Sequence, residues 1–378
     1  MLKRARFQNL RGYSGKELEI VFSPSINLIT GKNGAGKTTL LKTLWYLMSG
    51  NIHVAQTETP FSFATIETDL YALTVDLTDP RDPVVSIDMD GEEIVIREPT
   101  LDQLDESDFV SLDEEDALER ADDFLEDFGQ SLFFPTFRRV EGGYGIPKEP
   151  AAIPRSLLRA TRHKSDLDDA FTDISRRISN VNHEFICSVS TNDIVNLVLN
   201  KFNGVTQRYS EEQQSLSSSI IQEIRDYEAK DVKLPLNNAD EVIQRIRKAI
   251  EAVDDNRVKL MRPLNAVQDL VIELFDHRGI SFANKYSFGE RAEAVLSENL
   301  SAGEKQMLSF ICYNAFYSNA VIFIDEPELS LHIDWQRQLF PILERQASTN
   351  QFVVATHSPF IYSKYPENEL LLGSDRGD

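Results

Sequence analysis

Residues 31–39 read Gly31-Lys32-Asn33-Gly34-Ala35-Gly36-Lys37-Thr38-Thr39 and match the phosphate-loop pattern G-x-x-x-x-G-K-[ST] at every fixed position. A short apolar segment of strand character, 26–30, precedes this loop, and leucines recur at helical spacing from Thr39 to Met48. In the order strand, loop, helix, the glycines allow successive backbone N–H groups to face phosphate oxygens. The sequence therefore predicts an ATP site built from all nine residues, in which Lys37 reaches the β- and γ-phosphates and the Thr38 hydroxyl ligates Mg²⁺.

The composition is that of a globular protein. With 378 residues, of which 41% are hydrophobic, the chain can bury the core of two or three domains, or of one large domain with an insertion. No apolar run approaches the roughly 20 residues of a membrane span, and the N-terminus lacks a signal-peptide core, so we expect a cytoplasmic protein without a membrane partner. Cys187 and Cys312 lie far apart, which suits a reducing compartment and two core positions.

The charge is strongly acidic. A formal net charge of −22 argues against a broad electrostatic grip on nucleic acid, because phosphate binding needs Lys and Arg on the contact face; a local basic patch is still compatible with it. Much of the acidity lies between Asp102 and Asp127, where Arg120 is the one basic residue. Apolar residues are interspersed, so we expect one or two acidic amphipathic helices. Their acidic side is either a solvated face or a docking site for a basic partner.

The N-terminal third is rich in strand patterns. Residues 2–9 and 18–22 predict a hairpin, and the strand that carries the phosphate loop follows it. Four further short segments predict an antiparallel meander: Phe61–Glu67, Leu70–Leu77, Val84–Met89 and Glu93–Arg97. Such a meander differs from a kinase or small GTPase, in which alternating parallel strands and helices follow the loop.

A buried strand, 131–134, precedes Arg138 and Arg139. Two arginines beyond a strand end suggest phosphate contacts, and pairing with nearby carboxylates is an equally good interpretation. From Ile153 to about Gly279 the apolar spacing becomes helical, in the segments 153–164, 166–186, 192–228 and 239–277. The last two segments are long enough for an antiparallel helical arm, although their sequences lack the sustained heptad repeats of a long coiled coil.

Three C-terminal stretches carry further chemistry. Ser301 and Glu304 form a capping box that opens a helix through about Tyr317, and the small Ala302 and Gly303 allow a ligand to approach the backbone. An apolar strand, 320–324, ends in Asp325 and Glu326. After a phosphate loop, these carboxylates are placed to hold Mg²⁺ through water and to orient an attacking water, respectively.

A last apolar strand ends in the polar tip Thr356-His357-Ser358. A single histidine at a strand end is commonly a hydrogen-bonded structural residue. Here it comes after the phosphate loop, the capped helix and the acidic strand end, so we favour a contact between His357 and the γ-phosphate.

Four motifs together resemble those of ABC-type ATPases. They are GKNGAGKT (31–38), LSAGEKQ (300–306), VIFIDEPELSLH (321–332) and ATHSP (355–359), which correspond to the Walker A, signature, Walker B with D-loop, and H-loop motifs. The run from Glu326 to His332 resembles the SMC/RecF/OLD branch, since transporters usually have Asp at the position of His332. The resemblance implies an α/β fold, namely an ABC-type P-loop head with a mixed sheet, an antiparallel β subdomain and an inserted helical domain. It implies a first lobe at 1–150, a helical insertion at 151–289 and a second lobe at 290–378.

The resemblance also implies a mechanism. Two heads pair head to tail, and each ATP with its Mg²⁺ is sandwiched between Lys37 and Thr38 of one copy and the signature of the other. The signature residues that act in trans are Ser301, Ala302, Gly303 and Glu304. The catalytic residues are Lys37, Glu326 as the base or water-orienting carboxylate, and His357 as the switch. Such composite sites explain slow hydrolysis by isolated subunits and predict a homodimer or higher homo-oligomer.

OLD-type proteins carry a TOPRIM nuclease domain after the H-loop, whereas this chain continues for about twenty residues after His357. We therefore expect any effector to be a separate protein. The build looks like the ATPase subunits of phage-defence systems such as PARIS, Septu and retron-associated pairs. The leading hypothesis is an oligomeric ATP-dependent sensor and scaffold that responds to a viral trigger and controls an effector nuclease. Two alternatives are a RecF-like DNA-repair ATPase that binds DNA, and a nucleotide-locked structural assembly module.

Overall fold

The computed structural model describes residues 1–13, 17–79, 82–97, 117–136, 173–187, 191–229, 237–276 and 301–373. The chain divides into two compact units. The first unit comprises Met1–Ser190, Leu300–Met307 and Tyr317–Asp378, and the second comprises Thr191–Asn299 and Leu308–Phe316.

The regular elements fall into runs of strands and runs of helices. In chain order they are β1 (Leu2–Gln8), β2 (Glu17–Val21), β3 (Ile26–Thr30), α1 (Lys37–Met48), α2 (Ile52–Glu58), β4 (Phe63–Thr68), β5 (Ala72–Asp76), β6 (Val84–Met89), β7 (Glu92–Arg97), α3 (Ala117–Leu125), β8 (Ser131–Phe134), β9 (His183–Phe185), α4 (Thr191–Ala229), α5 (Asn237–Asp276), α6 (Ala302–Phe316), β10 (Val321–Asp325), α7 (Ile333–Arg345), β11 (Gln351–Ala355), α8 (Pro359–Tyr362) and β12 (Glu369–Leu371). Short 3₁₀ turns at Pro327–Ser330 and Pro366–Asn368 complete the first unit.

One sheet of the first unit is antiparallel, with the strand order β2-β1-β4-β5-β6-β7. The central strands β4, β5 and β6 alternate between buried residues and more exposed ones; in β5, for example, Leu73 and Val75 are buried and their neighbours are partly exposed. Side chains of a strand point alternately to the two faces, so one face of this sheet joins the core. The predicted hairpin and meander are thereby confirmed.

The other sheet is parallel, with the strand order β12-β3-β11-β10-β8-β9. Its central strands are buried along their whole length, as expected for a parallel sheet covered on both faces. The predicted α/β class is confirmed. We expected one sheet with both parallel and antiparallel strands. The described pairings are instead antiparallel in one sheet and parallel in the other.

The register of the parallel sheet brings four strand ends to one edge. Asp325 of β10 lies opposite Ala355 of β11, Ala355 lies opposite Ile29 of β3, and Ile324 lies opposite Phe134 of β8. The carboxyl ends of parallel strands meet at the same edge, so the residues that follow these strands share one site.

Part of the helical prediction for 166–186 is wrong. Helical residues 173–178 are followed by the short strand β9, which pairs with β8. Phe185 of β9 stacks on Phe133 with the ring centroids 5.1 Å apart, and Ser131 is hydrogen-bonded to the His183 ring over 2.7 Å. These long-range contacts outweigh the apolar periodicity of the segment.

Several predicted features fall outside the described residues. They are the helix at 153–164, Arg138 and Arg139, and the first part of the acidic run up to residue 116. The described end of the acidic run forms α3, in agreement with the predicted amphipathic helix. Both cysteines are buried, as expected.

The second unit contains the long helices α4 and α5, of 39 and 40 residues. Each is about 60 Å long. Arg257 of the second helix lies over the Tyr209 ring of the first, and Asn256 bonds Glu212, so the two helices run antiparallel as predicted. Partly buried residues recur at spacings of three and four along both: Val205, Tyr209, Glu212, Leu216 and Ile220 in α4, and Ile246, Ala249, Val253, Asn256 and Leu260 in α5. This coiled-coil spacing is not evident from the amino-acid sequence, because two of the positions are polar.

Those two polar residues bond each other. Asn256 donates to both carboxylate oxygens of Glu212 over 2.7 and 2.9 Å. A polar pair between two helices favours one register over shifted ones. Among the described helices, none has both the length and the apolar composition that crossing a bilayer requires.

Candidate functional site

The phosphate loop connects β3 to α1 through left-handed glycines. Gly36 has φ +86°, and a Cβ at this position would lie 2.6 Å from the Tyr13 ring. Gly31 has φ +145°, and its Cβ would lie 2.5 Å from the carbonyl oxygen of Leu372. Both positions combine a backbone conformation that disfavours side chains with a close neighbour. They explain why glycine stands at the two fixed positions of the motif.

Lys37 begins α1, and its side chain folds back under the loop. The residue is 5% exposed, and its ammonium donates to the carbonyl oxygens of Gly31 and Lys32 over 3.0 and 3.3 Å. The same ammonium lies 2.5 Å from Nε2 of His357. Burial lowers the pKa of Lys37, and nearby carboxylates, with Glu326 the strongest, oppose this change. The loop therefore holds a partly desolvated cation at the tips of β10 and β11.

Asp325 is the buried end of β10, with an exposure of 1%. Its carboxylate accepts a hydrogen bond from the Thr38 hydroxyl over 3.1 Å and another from the Thr136 hydroxyl. Thr136 was not assigned a role from the sequence, although it is the first polar residue after the apolar strand β8 and Pro135. The three side chains form a cluster of oxygen atoms at the sheet edge.

This oxygen cluster fits Mg²⁺. The ion takes oxygen ligands, is usually held by one or two protein groups together with substrate phosphates, and keeps several waters. The described residues contain no group of three His, Cys, Asp or Glu that could chelate a metal without such help. Thr38 and Asp325 are thus the residues that would hold Mg²⁺ here.

Glu326 follows in an unusual conformation. Its φ of 49° and ψ of 63° lie in the left-handed region, and its backbone N–H donates to the Ala355 carbonyl over 2.9 Å. Glu326 Oε1 lies 3.3 Å from Nε2 of His357. A non-glycine residue in this region costs about 1–2 kcal/mol, and such strain is common at functional sites.

The pKa of Glu326 is strongly perturbed. Burial, followed by the charge of Glu328, raises it to about 8. The positive charge of Lys37 acts in the opposite direction. Near neutral pH this pKa favours the protonated form of the Glu326 carboxyl group.

His357 lies between these groups. Burial, and then the charge of Lys37, lowers its pKa, so the imidazole is neutral at pH 7 and offers an acceptor nitrogen to the Lys37 ammonium. Its backbone N–H donates to Glu328 Oε1 over 2.5 Å. Glu328, like Thr136, was not assigned a role from the sequence, although it lies two residues after Glu326 in the Walker B run.

The signature residues lie at the start of α6. The predicted capping box is present: the backbone N–H and the hydroxyl of Ser301 each donate to Glu304 over 2.8 Å, and the Glu304 N–H points back to the Ser301 hydroxyl. A Cβ on Gly303 would lie 2.6 Å from the Ser330 carbonyl oxygen, and Gln306 donates to the Pro327 carbonyl over 3.0 Å. The first turn of α6 therefore packs closely on the turn after β10.

The structure thus brings together the predicted residues of the phosphate loop, Asp325, Glu326 and His357. It adds Thr136 and Glu328 to them. A buried cation, a hydroxyl–carboxylate cluster, a carboxyl group and an imidazole at one sheet edge are the groups that phosphoryl transfer requires.

Comparison with known proteins agrees with this chemistry. The profile of a family described as AAA ATPase domain (AAA_15) matches residues 1–362. The retron Ec83 probable ATPase of Escherichia coli is 36% identical over 73 residues, which cover 16% of this chain and 14% of that protein. The DNA replication and repair protein RecF of Desulforamulus reducens is 43% identical over 49 residues, 13% of each chain. The chain therefore aligns with about one seventh of the length of these curated relatives.

Solved structures of Smc heads cover the whole chain at low similarity. The Smc head domain of Pyrococcus furiosus with an extended coiled coil, bound to the C-terminal domain of ScpA, covers 100% of this chain and 94% of its own, with 13% identity and a TM-score of 0.36. The Smc head domain of Pyrococcus yayanosii with a coiled coil and joint covers 100% and 95%, with 12% identity and a TM-score of 0.36.

Proposed function

Because this chain belongs to the AAA ATPase domain family, whose profile spans residues 1–362, we propose that it binds ATP with Mg²⁺ and hydrolyses it slowly in composite sites between paired copies. The observation that carries the proposal is the convergence of Lys37, Thr38, Asp325, Glu326 and His357 at one edge of the parallel sheet. Each of these side chains contacts another member of the set.

Within one copy, residues 31–39 cradle the phosphates, and the Lys37 ammonium exchanges its loop carbonyls for phosphate oxygens. Thr38 and Asp325 hold Mg²⁺, which supplies positive charge to the phosphate oxygens when bound. Glu326 orients the attacking water and accepts its proton when ionised, a state that the charge of Lys37 favours. His357 contacts the γ-phosphate from the tip of β11.

The second copy completes the site. Ser301, Ala302, Gly303 and Glu304 lie at the N-terminus of the fifteen-residue helix α6, where the positive end of the helix dipole favours an anion. Presented in trans, this helix end contacts the γ-phosphate bound by the partner copy, so ATP stabilises a homodimer or higher homo-oligomer. Arg138 and Arg139 are further candidates for phosphate contacts.

For the biological role, we propose that the chain is an oligomeric sensor and scaffold in a cytoplasmic antiviral defence complex. It controls a separate effector protein, which we expect to be a nuclease. Its support is the SMC/RecF/OLD-type motif set and the local identity with the retron Ec83 probable ATPase. A RecF-like DNA-repair ATPase is the second candidate, supported by the local identity with RecF. The net charge of −22 disfavours the DNA contact that this second role requires.

The test is a native-mass measurement of the chain purified after co-expression with its genomic neighbours, with and without ATP. We expect an ATP-dependent oligomer that carries a second protein, and we expect Lys37→Ala to abolish it because that variant loses the phosphate contact. An ATP-dependent dimer that recruits DNA and no second protein would instead favour the repair role.

Hydrolysis is tested separately with Glu326→Gln. The sensor proposal expects this variant to lose turnover and to alter the defence phenotype. If Glu326→Gln protects cells as well as the wild type while Lys37→Ala does not, the chain is a nucleotide-locked assembly module and turnover is incidental.

A further inference from the structure

Glu328 connects the turn after β10 to the tip of β11. It is half-buried on the 3₁₀ turn Pro327–Ser330. One of its carboxylate oxygens, Oε1, accepts two hydrogen bonds, from the Thr356 hydroxyl over 2.9 Å and from the backbone N–H of His357 over 2.5 Å. Both donors belong to consecutive residues just beyond the end of β11. A single carboxylate oxygen therefore fixes the segment that carries the histidine.

The β11 tip has further anchors on either side of this bond. The Thr356 backbone N–H donates to Ile29 of β3 over 3.1 Å, and the Ser358 hydroxyl donates to Gln336 of α7 over 2.6 Å. Glu328 supplies the acceptor for the N–H of the residue between them, His357. The direction in which the imidazole leaves the backbone thus depends on Glu328.

The turn that carries Glu328 is itself held in place. The Gln306 side chain of α6 donates to the Pro327 carbonyl over 3.0 Å, and the Gln336 side chain of α7 donates to the Leu331 carbonyl over 2.8 Å. The carboxylate therefore starts from a fixed backbone, as a group that orients another residue must.

We propose that Glu328 is a positioning residue, which holds the imidazole of His357 between Lys37 and Glu326 through its hydrogen bonds to Thr356 and His357. The catalytic consequence rests on the proposed ATPase function, whereas the positioning itself does not. Glu328 also places a negative charge beside Glu326. The test therefore has to separate the hydrogen bonds from the charge.

Two variants make this separation. Glu328→Ala removes both the acceptor and the charge, whereas Glu328→Gln keeps an acceptor oxygen and removes only the charge. Glu367→Ala, which removes an exposed carboxylate from the turn before β12, serves as the control. For all proteins, nucleotide affinity, KM and kcat for ATP are measured.

The position of His357 is recorded without nucleotide. The chain has six histidines, so labelling only histidine with ¹⁵N gives six backbone amide signals, and His357→Gln identifies the relevant one. A strong hydrogen bond moves an amide proton downfield, so the loss of the carboxylate acceptor moves this signal upfield.

We expect Glu328→Ala to shift the His357 amide upfield and to lower kcat about a hundredfold, the effect of a misplaced catalytic group, with KM within about threefold of the wild type. Glu328→Gln is expected to keep the amide signal near its wild-type position and kcat within about tenfold. The control should match the wild type in every measurement.

Two results would overturn the proposal. One is an unmoved His357 amide in Glu328→Ala. The other is a hundredfold loss of kcat in Glu328→Gln with the amide in place, since that would assign the effect to charge. If the Ala variant fails to fold, Glu328→Gln still tests the proposal, because a hundredfold loss of kcat with the amide in place would overturn it. If the wild type hydrolyses no ATP, the proposed function fails, and the amide signals still decide whether Glu328 positions His357.

Discussion

Two glycines of the phosphate loop have nearly the same φ angle in different surroundings. Gly36 has φ +86° and Gly34 has φ +81°, both in the left-handed region. A Cβ on Gly36 would lie 2.6 Å from the Tyr13 ring, whereas a Cβ on Gly34 would have nothing within 4 Å. A comparison of substitutions at the two positions therefore distinguishes the cost of backbone strain from the cost of steric overlap.

We predict that Gly34→Ala lowers the free energy of unfolding by about 1–2 kcal/mol, the cost of the left-handed conformation for a side chain. Gly36→Ala should cost about 1–3 kcal/mol more, because the Tyr13 ring must move. Urea denaturation of both variants measures the difference. Equal losses would mean that the Tyr13 ring yields freely and that the φ angle alone selects glycine at position 36.

The sequence predicted those residues of the candidate site that carry a local sequence pattern. Lys37 and Thr38 follow from one motif, and Asp325 and Glu326 follow from an apolar strand with an acidic end. Thr136 and Glu328 could not be found in this way, because each acts through a residue far away in the chain, Asp325 for one and the β11 tip for the other. A hydroxyl after a strand, or a second glutamate after Glu326, has no local signature.

At the scale of elements, the contact between α6 and the turn after β10 depends on the absence of a side chain at Gly303. A Cβ there would lie 2.6 Å from the backbone carbonyl of Ser330, an atom that cannot rotate away. Gly204, in the helix α4, offers a comparison, because a Cβ at that position would have nothing within 4 Å.

We predict opposite outcomes for the two substitutions. Gly303→Ala should destabilise the protein by about 1–3 kcal/mol, since the first turn of α6 is forced from its neighbour. Gly204→Ala should stabilise α4 by about 0.5–1 kcal/mol, the difference in helix propensity. Thermal unfolding followed by circular dichroism measures both. A stabilising Gly303→Ala would show that the helix start is not packed on the turn.

Strands and helices were predictable where the apolar residues of a segment followed a single spacing. The strands of the hairpin, the meander and the parallel core are found within about two residues of their predicted positions. The strand β9 was predicted as helix, since its three residues are fixed by stacking on Phe133 and by Ser131. The helix α2 depends on a distant carboxylate: Asp122 accepts hydrogen bonds from the N–H groups of Ile52 and His53 over 2.6 and 3.3 Å, in place of a local cap.

At the scale of the whole molecule, the net charge of −22 acts on every encounter between copies. Like-charged copies repel, and salt screens this repulsion, since the Debye length falls from about 14 Å at 50 mM to about 8 Å at 150 mM. Nucleic-acid binding behaves in the opposite way, because salt competes with the protein for phosphates. Salt dependence therefore distinguishes the proposed assembly from a DNA-binding role.

We predict that ATP-dependent self-association becomes about threefold tighter between 50 and 150 mM salt. Sedimentation velocity at several protein concentrations measures the dissociation constant, and Lys37→Ala should show no ATP-dependent association at either salt concentration. An association that weakens steeply as salt rises would contradict the charge argument.

The order of the parallel sheet also governs when the site can exist during synthesis. The phosphate loop leaves β3, and the neighbours of β3 are β11 and β12, which lie more than 300 residues later in the chain. At about 5–20 residues per second, the ribosome takes roughly 15–60 s to make the intervening chain. During that time the loop has neither Asp325 nor His357 beside it. Under the proposed function, the complete site exists only after β10 and β11 have been made, so assembly through ATP would select copies whose synthesis has passed these strands.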